Sequence, residues 1–296
     1  MRHIEDGIFR DRQDVLESDL RDARSVGAFA FANCTQLEAV YFSNGLAVIC
    51  EDAFFGCKSL EEVTLPDGCI TLGERAFAQS GLRHIDLPES LQIIGNSCFE
   101  DCENLTEIHL GQSLHTLGAS AFSGCRNLHT VTLPDLPSVR DGCFAQTAVE
   151  EVCFPDRTQY IGRDAFSECK NLRLISLPSG DIRLRGSAFA GCDQLCHVIR
   201  RHKYGEEHRV FLKPPKANDI TRKLSSYDKS VKTSPQALFR LSHPHALMAD
   251  DRARFESILQ SDIASANQYL SSMQGILSAE DFNKALQILT SIDPSL

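Results

Sequence analysis

The chain has 296 residues, of which 42% are hydrophobic, and its formal net charge is −10. This length is sufficient for one long repeat domain with a small second domain, or for two ordinary domains. The negative charge argues against a general nucleic-acid-binding protein, and no apolar run approaches the length that a transmembrane helix requires.

The first residues, MRHIEDGIFRDRQDV, are charged and lack the apolar core of a secretory signal. We therefore expect a cytoplasmic location, where thiols stay reduced. An extracellular or cell-surface location is the alternative if a leader has been removed from the sequence.

A phenylalanine recurs at a fixed period through the first two thirds of the chain. Successive phenylalanines are 22 or 23 residues apart, and leucine, isoleucine or valine follows at set offsets. A period in this range with such offsets is typical of a leucine-rich solenoid. The anchoring residues are Phe9, Phe31, Phe54, Phe77, Phe99, Phe122, Phe144, Phe166 and Phe189.

Each unit reads approximately I-G-x-x-A-F-x-x-C-x-x-L-x-x-V-x-L-P. The LxxVxL part alternates apolar and polar residues, which predicts a short strand with one face directed inward. Proline then ends the strand, because it has no N–H to donate. We expect the I-G-x-x-A-F part to form the opposite wall as a tight turn with a little helix or 3₁₀ helix. Glycine is preferred there but not required, since Cys50, Arg140 and Arg185 take its place.

Stacked units would bury their phenylalanine, leucine and valine columns in one continuous core. The predicted fold is therefore a right-handed leucine-rich-repeat solenoid of nine coils, about 40 Å long from the strand spacing. The motif AFxxCxxLxxVxLP at this period resembles the BspA-like leucine-rich repeat family of bacteria and some protists, over about residues 4–199. The first copy, residues 4–20, has lost its cysteine and strand valine and looks like a capping repeat.

Six cysteines stand three residues after an anchoring phenylalanine, and Ser80 and Thr147 take that place in two shorter units. A position that accepts Cys, Ser or Thr is typical of a small buried residue at a turn. Zinc would need ligands that converge on one point, and a catalytic thiol would need a base, whereas no histidine shares this register. We expect all twelve cysteines to be reduced, with no metal and no cofactor. The six in register are Cys34, Cys57, Cys102, Cys125, Cys169 and Cys192.

The functional surface of a solenoid is usually the concave row of strands. The repeat register brings acidic and histidine side chains of three neighbouring strands together on that face. Such a group could contact a partner, bind a metal, or simply keep the sheet soluble. A basic partner would fit it better than an acidic one. The predicted partner-binding residues are Glu62, His84, Asp86, Glu107 and His109.

After residue 199 the repeat pattern ends. The segment 200–213 is predicted to close the solenoid as a hairpin, so that the first domain covers residues 1–213. Residues 214–296 carry capping signals and apolar residues at helical spacing, which predict a small all-α domain of about four helices. The complete chain is therefore expected to be of the α+β class.

The junction between the two predicted domains is basic. From Arg200 to Lys232 there are ten lysines and arginines and four acidic residues, a net charge of +6. Such a segment could contact an acidic partner or phosphate groups, and Arg200, Arg201 and Lys203 are its candidate contact residues. Binding of nucleic acid is not favoured, because no RNA-binding motif or interleaved aromatic residues accompany the charge.

The sequence contains no GxSxG, GxxxxGK[ST], HExxH or GxGxxG motif. The first hypothesis is accordingly a non-catalytic protein–protein interaction scaffold of bacterial type that binds an unknown protein partner and is itself monomeric. The second is a secreted or surface adhesin, which the family resemblance implies for some members. The third is an enzyme of unrecognised type.

Overall fold

The computed structural model describes residues 2–201 and 207–211, and the side chains of residues 3–199. The repeats form a β-solenoid of nine coils, as the phenylalanine period predicts. The strands in chain order are β1 (Arg2–Ile4), β2 (Glu17–Asp19), β3 (Ala23–Val26), β4 (Ala39–Tyr41), β5 (Val48–Ile49), β6 (Glu62–Thr64), β7 (Thr71–Leu72), β8 (His84–Asp86), β9 (Ile93–Ile94), β10 (Glu107–His109), β11 (Thr116–Leu117), β12 (Thr130–Thr132), β13 (Ser138–Val139), β14 (Glu151–Cys153), β15 (Tyr160–Ile161), β16 (Leu174–Leu177), β17 (Arg183–Leu184), β18 (His197–Arg201) and β19 (Glu207–Phe211).

Each coil contributes one strand to each of two walls. The even-numbered strands β2 to β18 contain the LxxVxL residues and form the first wall, and the odd-numbered strands β1 to β17 form the second wall. Within each wall the paired strands of neighbouring coils run parallel, which is the arrangement that a coiled chain requires.

The last described strand runs the other way. β19 pairs antiparallel with β18, so it runs back along the ninth coil. The turn itself, the predicted domain border at residue 213 and the helices predicted in 214–296 lie outside the described residues. The right-handed winding of the coil remains a prediction.

The phenylalanine column forms the centre of the core. Neighbouring rings are stacked with centroids 4.9 to 5.7 Å apart. From Phe31 to Phe189 each ring is fully buried, whereas Phe9 in the first coil is only partly buried. The stack therefore joins all nine coils in one core.

The segment around each phenylalanine contains turns only, so the short helix expected there is absent from the described residues. In the third coil the residues two before and two after Phe54 are left-handed, with φ of 51° at Asp52 and 70° at Gly56. The Phe54 N–H donates to the Ala76 carbonyl of the next coil at 2.8 Å. Hydrogen bonds between neighbouring coils therefore take the place of the hydrogen bonds that the predicted short helix would have formed within each coil.

The glycine that recurs at one position of the repeat has a steric reason. Gly95 has no left-handed φ, but a Cβ added to it would lie 2.6 Å from the carbonyl carbon of Gly73 in the preceding coil. The coils thus approach closely at this corner, and glycine allows the approach.

Candidate functional site

The five predicted partner-binding residues lie on the outer side of the first wall. Glu62 is directly opposite His84, and Thr64 is opposite Asp86. The central residue of each strand points inward, so Val63, Ile85 and Ile108 are only 2–4% exposed. The alternation that the sequence predicted is therefore present, and Glu62, His84, Asp86, Glu107 and His109 form what we call the strand-face patch.

One hydrogen-bonded cluster lies inside the strand-face patch. His84 Nε2 is 2.8 Å from Asp86 Oδ1, and the Thr64 hydroxyl donates to the other Asp86 oxygen at 3.4 Å. These side chains remain exposed, at 45% for His84 and 59% for Asp86. The His84 ring is thus held by the carboxylate two residues further along the same strand.

The other three members of the patch are open to a partner. Within the described part of the chain, Glu62, Glu107 and His109 form no ion pair, although Glu61 beside the patch pairs with Arg83 at 3.2 Å. Two carboxylates and an imidazole without partners can accept or donate hydrogen bonds to an incoming side chain.

The charge around the strand-face patch is strongly negative. Residues 1–109 contain 20 acidic and 8 basic side chains, a net charge of −12, whereas residues 110–201 contain 9 acidic and 10 basic side chains, a net charge of +1. A potential of one sign along a surface attracts and orients partners of the opposite charge. The patch therefore lies in the half of the solenoid that attracts basic groups.

The predicted basic contact lies only partly in the described region. Arg200 and Arg201 end β18, where their backbones pair with His208 and Glu207 of β19. Their side chains are not described, and Lys203 lies outside the described residues. Their contact role remains a prediction.

The cysteine column has a role that the sequence reasoning missed. Each of its six thiols donates to the carbonyl oxygen of the anchoring phenylalanine in the preceding coil, for example from Cys102 to Phe77 at 3.1 Å and from Cys57 to Phe31 at 3.2 Å. The signal was present in the sequence, because Cys, Ser and Thr share a side-chain hydrogen-bond donor as well as a small volume.

Burial makes several of the thiols poor nucleophiles. Burial raises the pKa of Cys102 and of Cys69 to about 11, from an ordinary value of 9.0. A protonated thiol neither attacks a substrate nor binds a metal. In residues 2–201 and 207–211 no group of three or more histidine, cysteine or acidic side chains has a geometry that could hold a metal ion. All twelve cysteines are unpaired in the structure.

No helix of the described part of the chain is long and apolar enough to cross a membrane.

The sequence profile of BspA type leucine rich repeat regions matches six copies of the repeat, over residues 24–147 and 137–207. No curated protein matches the chain significantly.

Several solved structures are similar to the chain. A leucine-rich repeat protein from Bacteroides ovatus is 29% identical, with a TM-score of 0.57 over 68% of this chain and 59% of that one. The leucine rich repeat protein of T. pallidum is 28% identical, with a TM-score of 0.38 over 52% of this chain and 62% of that one. A leucine rich cell surface protein from Faecalibacterium prausnitzii is 21% identical, with a TM-score of 0.39 over 67% and 76%.

The chain spans less than two thirds of the length of the B. ovatus and T. pallidum proteins. The repeat geometry, the six matched copies and the fold of the B. ovatus protein agree with one another. The chain therefore belongs to the BspA-type leucine-rich repeat family.

Proposed function

We propose that the chain is a non-catalytic protein-interaction scaffold that binds its partner through the strand-face patch. The observation that carries the proposal is the set of exposed, polar side chains on three successive coils, held at fixed spacing by a continuous core. Solenoids of this kind present extended binding surfaces because each coil adds another row of side chains.

The chemistry of the patch favours a basic segment of the partner. Glu62 and Glu107 offer carboxylates without an ion pair among the described residues, and the surrounding half of the solenoid is strongly acidic. Lysine and arginine side chains form charge-assisted hydrogen bonds with such carboxylates. Neighbouring strands are about 4.8 Å apart, so two basic side chains of one partner segment can reach two rows.

Affinity capture with a matched pair of variants tests the proposal. The test variant is Glu62→Gln/Glu107→Gln on the first wall. The control variant is Glu51→Gln/Glu74→Gln, which removes the same charge from exposed positions outside the first wall. We expect mass spectrometry to identify a basic protein captured by wild type and by the control variant, and lost by the test variant. Equal capture by all three proteins would exclude the strand-face patch.

The location of the protein separates a scaffold inside the cell from an adhesin. Membership of the BspA-type family supports a secreted or cell-surface location more than the cytoplasmic one that the first residues indicated. Brief protease treatment of intact cells, followed by immunoblotting, distinguishes the two. Loss of the protein while a cytoplasmic marker survives supports the adhesin, and survival of both supports the internal scaffold. The monomeric state and the absence of nucleic-acid binding remain predictions.

A further inference from the structure

The outer side of the second wall carries a cluster of arginines in its last three coils. Arg140 follows β13, Arg163 follows β15 by two residues, and Arg183 and Arg185 belong to the row of β17. All four residues are exposed. We call these four residues the arginine patch.

The register of the second wall places the arginine patch around Tyr160. Tyr160 pairs directly with Arg183 of the next coil. The Arg185 guanidinium lies over the Tyr160 ring at 5.9 Å from its centroid, and its Nε donates to the tyrosine hydroxyl at 3.4 Å. A guanidinium is charged at any working pH, and this hydrogen bond raises the pKa of Arg185 further.

A carboxylate already lies among these groups. Asp141 Oδ1 accepts the backbone N–H of Arg163 at 2.8 Å and the hydroxyl of Tyr160 at 3.3 Å. It lies above Gly162, whose missing side chain leaves room for it. The surface between the arginines thus accommodates a carboxylate with satisfied hydrogen bonds.

Most of the positive charge in the patch is not used within the structure. No ion pair involves Arg140, Arg163 or Arg183 in the part of the chain that the structure describes. Against the four arginines, the same rows contain Asp141, Asp164 and Asp181, which leaves a net charge of +1.

The same positions on coils three to five have the opposite sign. There Glu51, Asp52 and Glu74 face a single basic residue, Arg75, a net charge of −2. The arginine patch is therefore a local feature of coils seven to nine and not a general property of the second wall.

We propose that the arginine patch binds an acidic polypeptide segment. Guanidinium groups bind carboxylates in a planar, bidentate way. Arg183 and Arg185 are two residues apart on one side of an extended row, and in such a row alternate side chains are roughly 6.6 Å apart. An extended segment with Asp or Glu at alternate positions repeats at the same distance. This surface differs in wall, coils and charge from the strand-face patch, so the two proposals fail independently.

The test uses the full chain and a fluorescent peptide with glutamate at alternate positions, with the corresponding glutamine peptide as the probe control. Arg163→Gln/Arg183→Gln is the test variant. Arg24→Gln/Arg126→Gln removes the same charge from exposed positions on other coils and is the protein control. Fluorescence anisotropy gives the dissociation constant, and thermal melts confirm that all variants are folded.

We expect wild type to bind the glutamate peptide and not the glutamine peptide, and the test variant to bind it about tenfold more weakly. The control variant should bind within twofold of wild type. The proposal is overturned if the test variant binds like wild type, or if both variants lose affinity equally. The proposal is also overturned if the wild-type protein does not bind the glutamate peptide. This includes the case in which the protein binds a sulfated polysaccharide or RNA instead.

Discussion

The thiol of Cys125 donates a hydrogen bond to the carbonyl oxygen of Phe99 in the preceding coil, at an Sγ···O distance of 3.1 Å. The same carbonyl accepts the N–H of Cys102 within its own coil at 3.2 Å. Each such thiol therefore joins two coils at the point where the phenylalanine rings stack. The cysteine column contributes hydrogen bonds between coils in addition to apolar packing.

The first prediction concerns this hydrogen bond. Cys125→Ala should lower the free energy of unfolding by about 1 kcal/mol, because it removes one buried donor. Cys125→Ser keeps a donor, as Ser80 does at the same position in a shorter coil, and should cost less. Urea unfolding followed by circular dichroism measures both. Equal losses for the two variants would show that the thiol acts by volume alone.

The second prediction concerns the redox state of the thiols. Alkylation of unfolded, unreduced protein should block twelve cysteines, since all twelve are unpaired in the structure. In the folded protein Cys153 should react first, because it is the exposed cysteine of the described chain. Mass spectrometry counts the blocked thiols. A count below twelve in the unfolded sample would reveal a disulfide between coils.

The third prediction concerns alkaline pH. Burial raises the pKa of Cys69 and Cys102 to about 11, above the ordinary value of 9.0. Below about pH 9 these thiols are protonated in both states and their full contribution to stability is present. As the pH rises from about 9 to 11 the unfolded chain loses protons that the folded chain retains, so stability falls.

Melting temperatures measured between pH 8 and 11 test whether stability falls as the pH rises. The fall should be smaller in Cys69→Ser/Cys102→Ser, which has no thiol at either position. A fall of the same size in this variant would assign the effect to other groups that titrate in the same range.

The fourth prediction compares the effect on stability of an alanine substitution at two glycines. Gly95→Ala places a Cβ 2.6 Å from the Gly73 backbone and should cost roughly 1–3 kcal/mol, because the two coils must move apart. Gly186→Ala meets no atom within 4 Å and has no left-handed φ, so its effect should stay within about 0.5 kcal/mol. Thermal unfolding measures both variants. Similar melting temperatures for the two would contradict the close approach of the coils.

The first wall could be predicted from the sequence because two periods agree there. The phenylalanine period fixes the coil, and the alternation around Val63 and Ile85 fixes which strand residues point outward. The turn segment could not be predicted in the same way. Its left-handed positions hold residues such as Asp52, Arg75 and Gln79, and glycine occupies them in only a minority of coils, as Gly56 does.

The arginine patch left little signal in the sequence, where only Arg140 and Arg185 share a position of the repeat. Arg140 and Arg163 occupy different positions of the repeat, and Arg183 occupies a third. They become neighbours only through the register of β13, β15 and β17, which places Tyr160 opposite Arg183. A surface that depends on the pairing of several coils needs that register before it can be recognised.

The most direct measurement compares the core with the strand-face patch in one experiment. It records the melting temperature and the partner capture of His84→Ala/Glu107→Ala, with Phe122→Ala as the reference for damage to the core. Phe122 is fully buried between Phe99 and Phe144, so its loss should cost roughly 3–5 kcal/mol. The double variant changes exposed side chains and should melt within about 0.5 kcal/mol of wild type while losing the partner. A double variant that melts normally and retains the partner would contradict binding through the strand-face patch.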